Sequence, residues 1–353
     1  MEEATLALLV DTVKNSSNAR KRYSFILGAG ASRSSGIRTG AEMAKEWLEE
    51  LEKENEKATQ EWLRKENINK NDPGSHYSKI YERRFYMEGE VGLNKLKKEM
   101  ENAIPSPGYY YLAEMLVKTQ NKLVITTNFD NLTENSLFIF EGIEASVIPH
   151  ENLSGYIDAL SNIPTVIKIH RDLFLQPKNK EDDVKILSKK MMKGLKEIMD
   201  IYVPIVIGYG GNDGSLMGFL ENIASKDKNI YWCHKKGNPV NERIRHLIEK
   251  YHGFLIPIYD FDDTMYQFGV AFGYDFSDKT IHNITNELAR KLIEKYNEWM
   301  SNRRKSSFIN NNRITNMQEK TVKEKTKSNT ETMSFESYKD LFSSDDSELL
   351  HAR

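Results

Sequence analysis

Short apolar runs alternate with stretches of helical spacing along most of the chain. Residues 23–27, 123–127, 147–149, 166–169, 205–208, 230–233 and 254–258 are such runs, each expected as a buried strand. Between them lie helical patterns, at 41–53 with Met43, Ala44, Trp47, Leu48 and Leu51 on one side, at 109–118, and at about 214–224. Strands alternating with helices predict an α/β fold: a Rossmann-like parallel sheet with helices on both faces. Residues 1–20 read as an amphipathic lead-in helix striped by Leu6, Leu8, Leu9 and Val13. That stripe either packs back on its own domain or marks a contact surface, and we expect the second, hence a homo-oligomer.

Residues 52–108 change character. They are rich in Lys, Glu and Asn, are broken by the turn signal Asn71-Asp72-Pro73-Gly74, and then carry Tyr77, Ile80, Tyr81, Phe85 and Tyr86. This reads as a helical insertion within a domain spanning 21–300. From 301 to 353 a flexible tail is expected, its first part being too poor in apolar residues to fold alone. Phe335, Tyr338, Leu341 and Phe342 would share one side of a short docking helix there.

Composition narrows the field. The 353 residues carry 50 basic and 52 acidic side chains, a net charge of −2, so charge gives no argument for nucleic-acid binding. The single cysteine, Cys233, excludes an internal disulfide and a four-cysteine zinc site. The start lacks the basic and apolar pattern of a secretory leader, and no run approaches the ~18 apolar residues of a membrane span. A cytoplasmic protein without a membrane partner is expected.

Four segments at the expected carboxyl ends of strands carry candidate chemistry. Gly28-Ala29-Gly30-Ala31-Ser32, with Gly36-Ile37 further along, either makes a tight strand-to-helix turn or lets a phosphate approach the backbone. Thr126-Thr127-Asn128-Phe129-Asp130 places polar residues at a strand end. Asn128 is suited to hold a ribose hydroxyl or a water, Asp130 to cap the next helix, and Thr127 to face the ligand crevice. His170 is either a structural histidine or a general base. Gly208-Tyr209-Gly210-Gly211-Asn212-Asp213 is either a flexible loop or a second close approach to ligand, ending in a cap at Asp213. Their joint placement argues for a nucleotide site with an imidazole beside a ribose.

In this order the motifs resemble the sirtuin-like family over roughly residues 20–270, and within it the zinc-free bacterial effectors of anti-phage defence. The resemblance implies NAD⁺ as substrate, no metal, and NAD⁺ hydrolysis controlled by a partner such as a DNA-translocating ATPase. It casts His170 and Asn128 as catalytic. Gly28, Ala29, Gly30, Ala31, Ser32, Ile37, Thr127, Asp130, Gly208, Tyr209 and Asp213 would bind the dinucleotide. The chain departs from the family pattern at Arg171, where a glycine usually follows the histidine, and at Arg38, where a proline often follows Gly-Ile. A non-enzymatic NAD-binding sensor and a zinc-free deacylase are the other readings.

Overall fold

The structure, a computed structural model, describes residues 2–16, 21–171 and 187–277 and, within 280–301, all but 282, 283, 285, 288, 289 and 292. The expected tail at 301–353, with its docking segment, lies outside the described residues apart from residue 301. The chain divides after Ile284 into two units. In the second, Arg290 bridges Glu287 and Glu294 along a helix, with Tyr296 and Trp299 beside each other.

The first unit is built on eight strands: β1 (Glu2–Glu3), β2 (Arg22–Leu27), β3 (Leu123–Thr126), β4 (Ser146–Ile148), β5 (Thr165–Lys168), β6 (Tyr202–Ile207), β7 (Asn229–Lys235) and β8 (His252–Ile258). They form one sheet in the order β1-β8-β7-β6-β2-β3-β5-β4, and every pairing is parallel. The fold is the Rossmann-like sheet with helices on both faces. All seven expected strands are present; β1, two residues long, had no sequence signal.

Strand alternation divides the core in two. Tyr23, Phe25, Leu27, Val124, Val166, Ile205 and Ile207 face helices Leu6–Ser16, Pro107–Lys118 and Phe261–Phe272. Ile26, Leu123, Ile125, Ile167 and Val206 face helices Lys189–Ile201, Ser215–Ile223 and Glu242–Lys250. Both faces are buried under helices, which is why the strands read as continuous apolar runs.

The lead-in stripe corrects one expectation. Leu6, Leu9 and Val13 are buried within the first of these cores, and Leu8 alone of the four is exposed. The stripe thus packs on its own domain and no longer argues for an oligomer.

A third apolar cluster belongs to the insertion. Met43, Ala44, Trp47, Leu48, Leu63, Ile80, Tyr81, Phe85 and Leu96 bury one another, Trp47 making tilted or edge contacts with Tyr77, Tyr81 and Phe85 at 5.4–5.5 Å. This core begins at Met43, ahead of residue 52, while Pro107–Lys118 packs on the sheet. Helix Gly40–Lys65 starts with a reciprocal cap between Thr39 and Glu42 and breaks at Asn55, whose Oδ1 accepts from the Ala58 N–H and restarts it. Arg38 fixes the insertion's two ends. Its guanidinium forks onto Glu99 (2.8 and 2.7 Å) and also bonds Glu46, and this holds Glu99 below the usual carboxylate range.

One carboxylate outside the site titrates unusually. Burial, with Glu114 beside it, pushes Glu141 up to about 7, and Glu141 ends helix Leu132–Glu141, where the dipole opposes negative charge. An unfolded glutamate releases its proton near 4.5. The stabilising contribution of the protonated side chain is therefore complete below that pH and is lost as pH rises through 7. Glu141→Gln is expected to melt progressively higher than wild type as pH rises from about 5 to about 8. Parallel melting curves for the two proteins across that range would contradict this.

Candidate functional site

The strand order reverses at β2: the chain runs from β2 outward to β3 and returns to β6 on the other side. Such a switch point opens a crevice at the carboxyl ends of the strands. Here the two flanking loops touch through backbone. The Gly28 N–H donates to Ile207 O (3.1 Å) and the Gly30 N–H to Gly208 O (2.9 Å). A Cβ on Gly28 would lie 2.5 Å from Tyr209 Cα, and one on Gly30 2.8 Å from Gly208 Cα. Gly208 itself has φ +70°, and its Cβ would lie 2.5 Å from the Ala31 nitrogen. The glycines are thus required by the contact between the loops, and that contact forms the floor of a cavity of about 650 Å³. This is ample for a dinucleotide-sized ligand, since ligand clefts run about 300–1,000 Å³.

Of the residues expected at the site, Ala29, Gly30, Thr127, His170, Gly208, Tyr209 and Asp213 line this cavity. Gly28, Ala31, Ser32, Ile37, Asn128 and Asp130 do not. Ala31 and Ile37 are core residues, and Gly28 lies behind Tyr209. The buried Asn128 and Ser32 and the half-buried Asp130 form a polar cluster behind the wall. Asn128 Nδ2 donates to Gly28 O (3.1 Å) and Ser32 Oγ (2.9 Å), while Ser32 Oγ donates to Asp130 Oδ2 (2.7 Å). With its only proton committed to Asp130, Ser32 accepts from the Tyr109 hydroxyl at 3.2 Å. Asn128 here ties β3 to the β2 loop. Asp130 Oδ1 accepts from the Leu132 N–H as helix Leu132–Glu141 opens.

His170 follows β5 and is buried. Its Nε2 lies 3.0 Å from Ser215 Oγ and 3.9 Å from Asp213 Oδ1. Asp213 Oδ1 accepts from Ser215 Oγ (2.8 Å) and from the Leu216 N–H (2.8 Å), and Oδ2 accepts from the Tyr209 hydroxyl. Because Ser215 gives its proton to Asp213, its oxygen accepts from His170 Nε2–H. Arg243 holds this loop by donating to Asp213 O (3.1 Å) while forking onto Glu221. Ser215 gave no sequence signal beyond a helix start, and Arg243 gave none.

Lys168 is the other residue missed. Read as a strand residue, it is wholly buried, and its Nζ donates to Asp130 O (2.7 Å) and Asn131 Oδ1 and pairs with Glu134 (3.1 Å). Burial raises the carboxyls of Asp130 and Glu134 above their ordinary range, with Lys168 opposing the shift. The ammonium is the counter-charge that keeps this acidic loop closed.

The departures from the family pattern have physical consequences. Arg171 has φ +69°, a left-handed conformation that explains why glycine suits the position after the histidine. Its guanidinium forks onto Glu151 (2.9 and 2.6 Å). The insertion closes the cavity from above with Thr39, Gly40, Ala41 and the segment 74–79. The turn signal at 71–74 marked that segment as a turn, and its place over the cavity arises from tertiary packing.

Residues 122–256 match the family model described as SIR2-like domain. The match supports a sirtuin-like family; it includes Asn128, His170 and Asp213 and stops short of the Gly28–Ser32 loop. No curated protein matches the chain in sequence. Among solved structures, one described as "Structural Basis for the Mechanism and Regulation of Sir2 Enzymes" is 13% identical, covers 77% of this chain and 98% of its own, and has a TM-score of 0.40. Among the described residues no group of His, Cys, Asp and Glu is placed to hold a metal, and no helix is long and apolar enough to cross a membrane.

Two substitutions test the frame. Lys168→Met would leave Asp130 and Glu134 buried without their cation and is expected to lose about 3–5 kcal/mol of stability. Gly208→Ala must move backbone at a left-handed position and is expected to lose more than about 2 kcal/mol. Denaturant unfolding measures both, and a loss under about 1 kcal/mol in either would contradict the corresponding contact.

Proposed function

We propose that the chain is an NAD⁺ glycohydrolase, an effector of bacterial anti-phage defence under the control of a partner protein. The observation that carries the reading is the cavity at the switch point, with His170 on its wall and held by Ser215 and Asp213. The SIR2-like match over 122–256 supports NAD⁺ as the substrate. The defence context rests on the resemblance of the motifs.

In the reaction the bond between ribose C1′ and the nicotinamide nitrogen breaks, and its electron pair neutralises the cationic ring. Water bonds to C1′ of the oxocarbenium-like centre and gives up one proton. The products are nicotinamide, ADP-ribose and a proton. Nicotinamide leaves as a neutral molecule, so the protein needs no strong acid. Ala29, Gly30 and Gly208 present backbone to the substrate, and His170 assists the proton transfer from the ribose hydroxyl or the water. The Asp213–Ser215 pair sets the ring's orientation and bonds the Nε2 side. The roof at 39–41 and 74–79 limits water.

A second reading is an NAD-binding sensor without turnover. It is favoured by Asn128, whose amide bonds Gly28 and Ser32 behind the wall. The purified chain, with and without its partner, is to be incubated with NAD⁺ while free nicotinamide is followed. Turnover is expected, and His170→Ala is expected to lower it at least about a hundredfold with little change in melting temperature. Asn128→Ala is expected to abolish turnover as well. Binding of NAD⁺ without nicotinamide release under any condition would favour the sensor, and wild-type turnover in His170→Ala would refute the catalytic assignment.

A further inference from the structure

At the opposite end of the sheet lies a second pocket, of about 760 Å³. It is walled by residues at strand amino ends. Arg22 opens β2, Lys122 directly precedes β3, and Asn162 stands in the connection leading to β5. Lys118 and Gln120 add a further cation and an amide, and Phe272 and Tyr274 form an aromatic side with their rings stacked at 5.8 Å. Three cations line this pocket and no carboxylate does.

The pairing of these cations contrasts with that of several other arginines. Arg33, Arg38, Arg84, Arg171, Arg243 and Arg290 each face a glutamate. Arg22 donates to the Tyr202 hydroxyl at 3.4 Å, with the guanidinium 5.9 Å from the ring centre. Lys122 Nζ donates to Val117 O at 2.6 Å, and burial pulls its ammonium below the ordinary lysine value. Neither has a carboxylate partner among the described residues. Lys118 pairs with Glu114, outside the pocket wall, and lies 5.3 Å from the centre of the Tyr274 ring. A partly desolvated cation without a counter-charge is a standing penalty that an anion relieves. The low-dielectric aromatic side strengthens that attraction.

We propose that this pocket binds a small phosphate-bearing metabolite, with Arg22 and Lys122 taking the phosphoryl oxygens and Gln120 and Asn162 supplying amide contacts. It is a site separate from the NAD⁺ cavity, since it lies at the amino ends of strands whose carboxyl ends frame that cavity. Two phosphoryl groups match the two cations that have no carboxylate partner among the described residues, so inorganic pyrophosphate is the natural probe.

The test is calorimetric titration of the full chain with pyrophosphate. One saturable event is expected in wild type and in His170→Ala. The double variant Arg22→Gln/Lys122→Gln is expected to weaken it by about tenfold or more, with a reduced dependence on salt. Should removal of Arg22 disturb the fold through Tyr202, Lys122→Gln alone leaves that contact intact and is expected to weaken binding several-fold. Equal affinity in wild type and both variants, or no saturable event in wild type, would overturn the proposal. Loss of binding in His170→Ala with retention in the double variant would assign the anion to the other cavity and equally overturn it. The readout is binding rather than nicotinamide release, so its outcome is independent of the proposed hydrolysis.

Discussion

The backbone contact between the loops after β2 and β6 is the constraint on which the rest of the site depends. Gly28, Gly30 and Gly208 bring two main chains close enough to exchange hydrogen bonds at 3.1 and 2.9 Å, and any side chain at these positions would collide with backbone. Because the loops meet, the switch point of the sheet is sealed at its base. That fixes where a ligand can lie. It also carries the β6 loop across to His170, so that Ser215, more than forty residues away in sequence and held by Asp213, bonds the ring.

Behind this floor the β3 loop is locked by charge rather than by apolar packing. The wholly buried Lys168 is satisfied by Asp130, Asn131 and Glu134, which are themselves half-buried. Buried charges of this kind stabilise little relative to an apolar core, but losing one partner is severe. The arrangement holds Thr127 on the cavity wall and commits Asn128 to Gly28 and Ser32. Both protons of the Asn128 Nδ2 are committed to scaffold acceptors, so the amide could donate to a ribose only by giving up one of those bonds, and this is the structural tension between the enzyme and sensor readings.

The insertion gives the cavity its other wall while keeping an apolar core of its own. Arg38 joins the insertion's first helix to its last through Glu46 and Glu99. The stiffness comes from the fork geometry, which fixes angles as well as distance.

Much of this was written in the sequence. The seven apolar runs determined the strands, because a strand buried on both faces must be apolar throughout, and the glycine and polar motifs at their ends pointed to the carboxyl edge of the sheet. Tyr23, Phe25 and Ile26 needed no tertiary information to be placed in a core. The stripe of Leu6, Leu9 and Val13 was also legible as apolar, but whether it met its own domain or another chain depended on a partner surface, helix Phe261–Phe272, that lies some 250 residues away in the chain. The same holds within the site. Sequence marked His170 and Asn128 by residue type and strand position. Only the fold decided that His170 reaches the cavity wall and bonds Ser215 while Asn128 turns to the loop behind. Lys168 reads as one residue of a strand, and its role as a buried counter-charge follows from three polar groups distant in sequence converging on it. Periodicity is a local property and survives in one dimension, whereas hydrogen-bond partners and buried counter-charges exist only after the strands have been ordered in space.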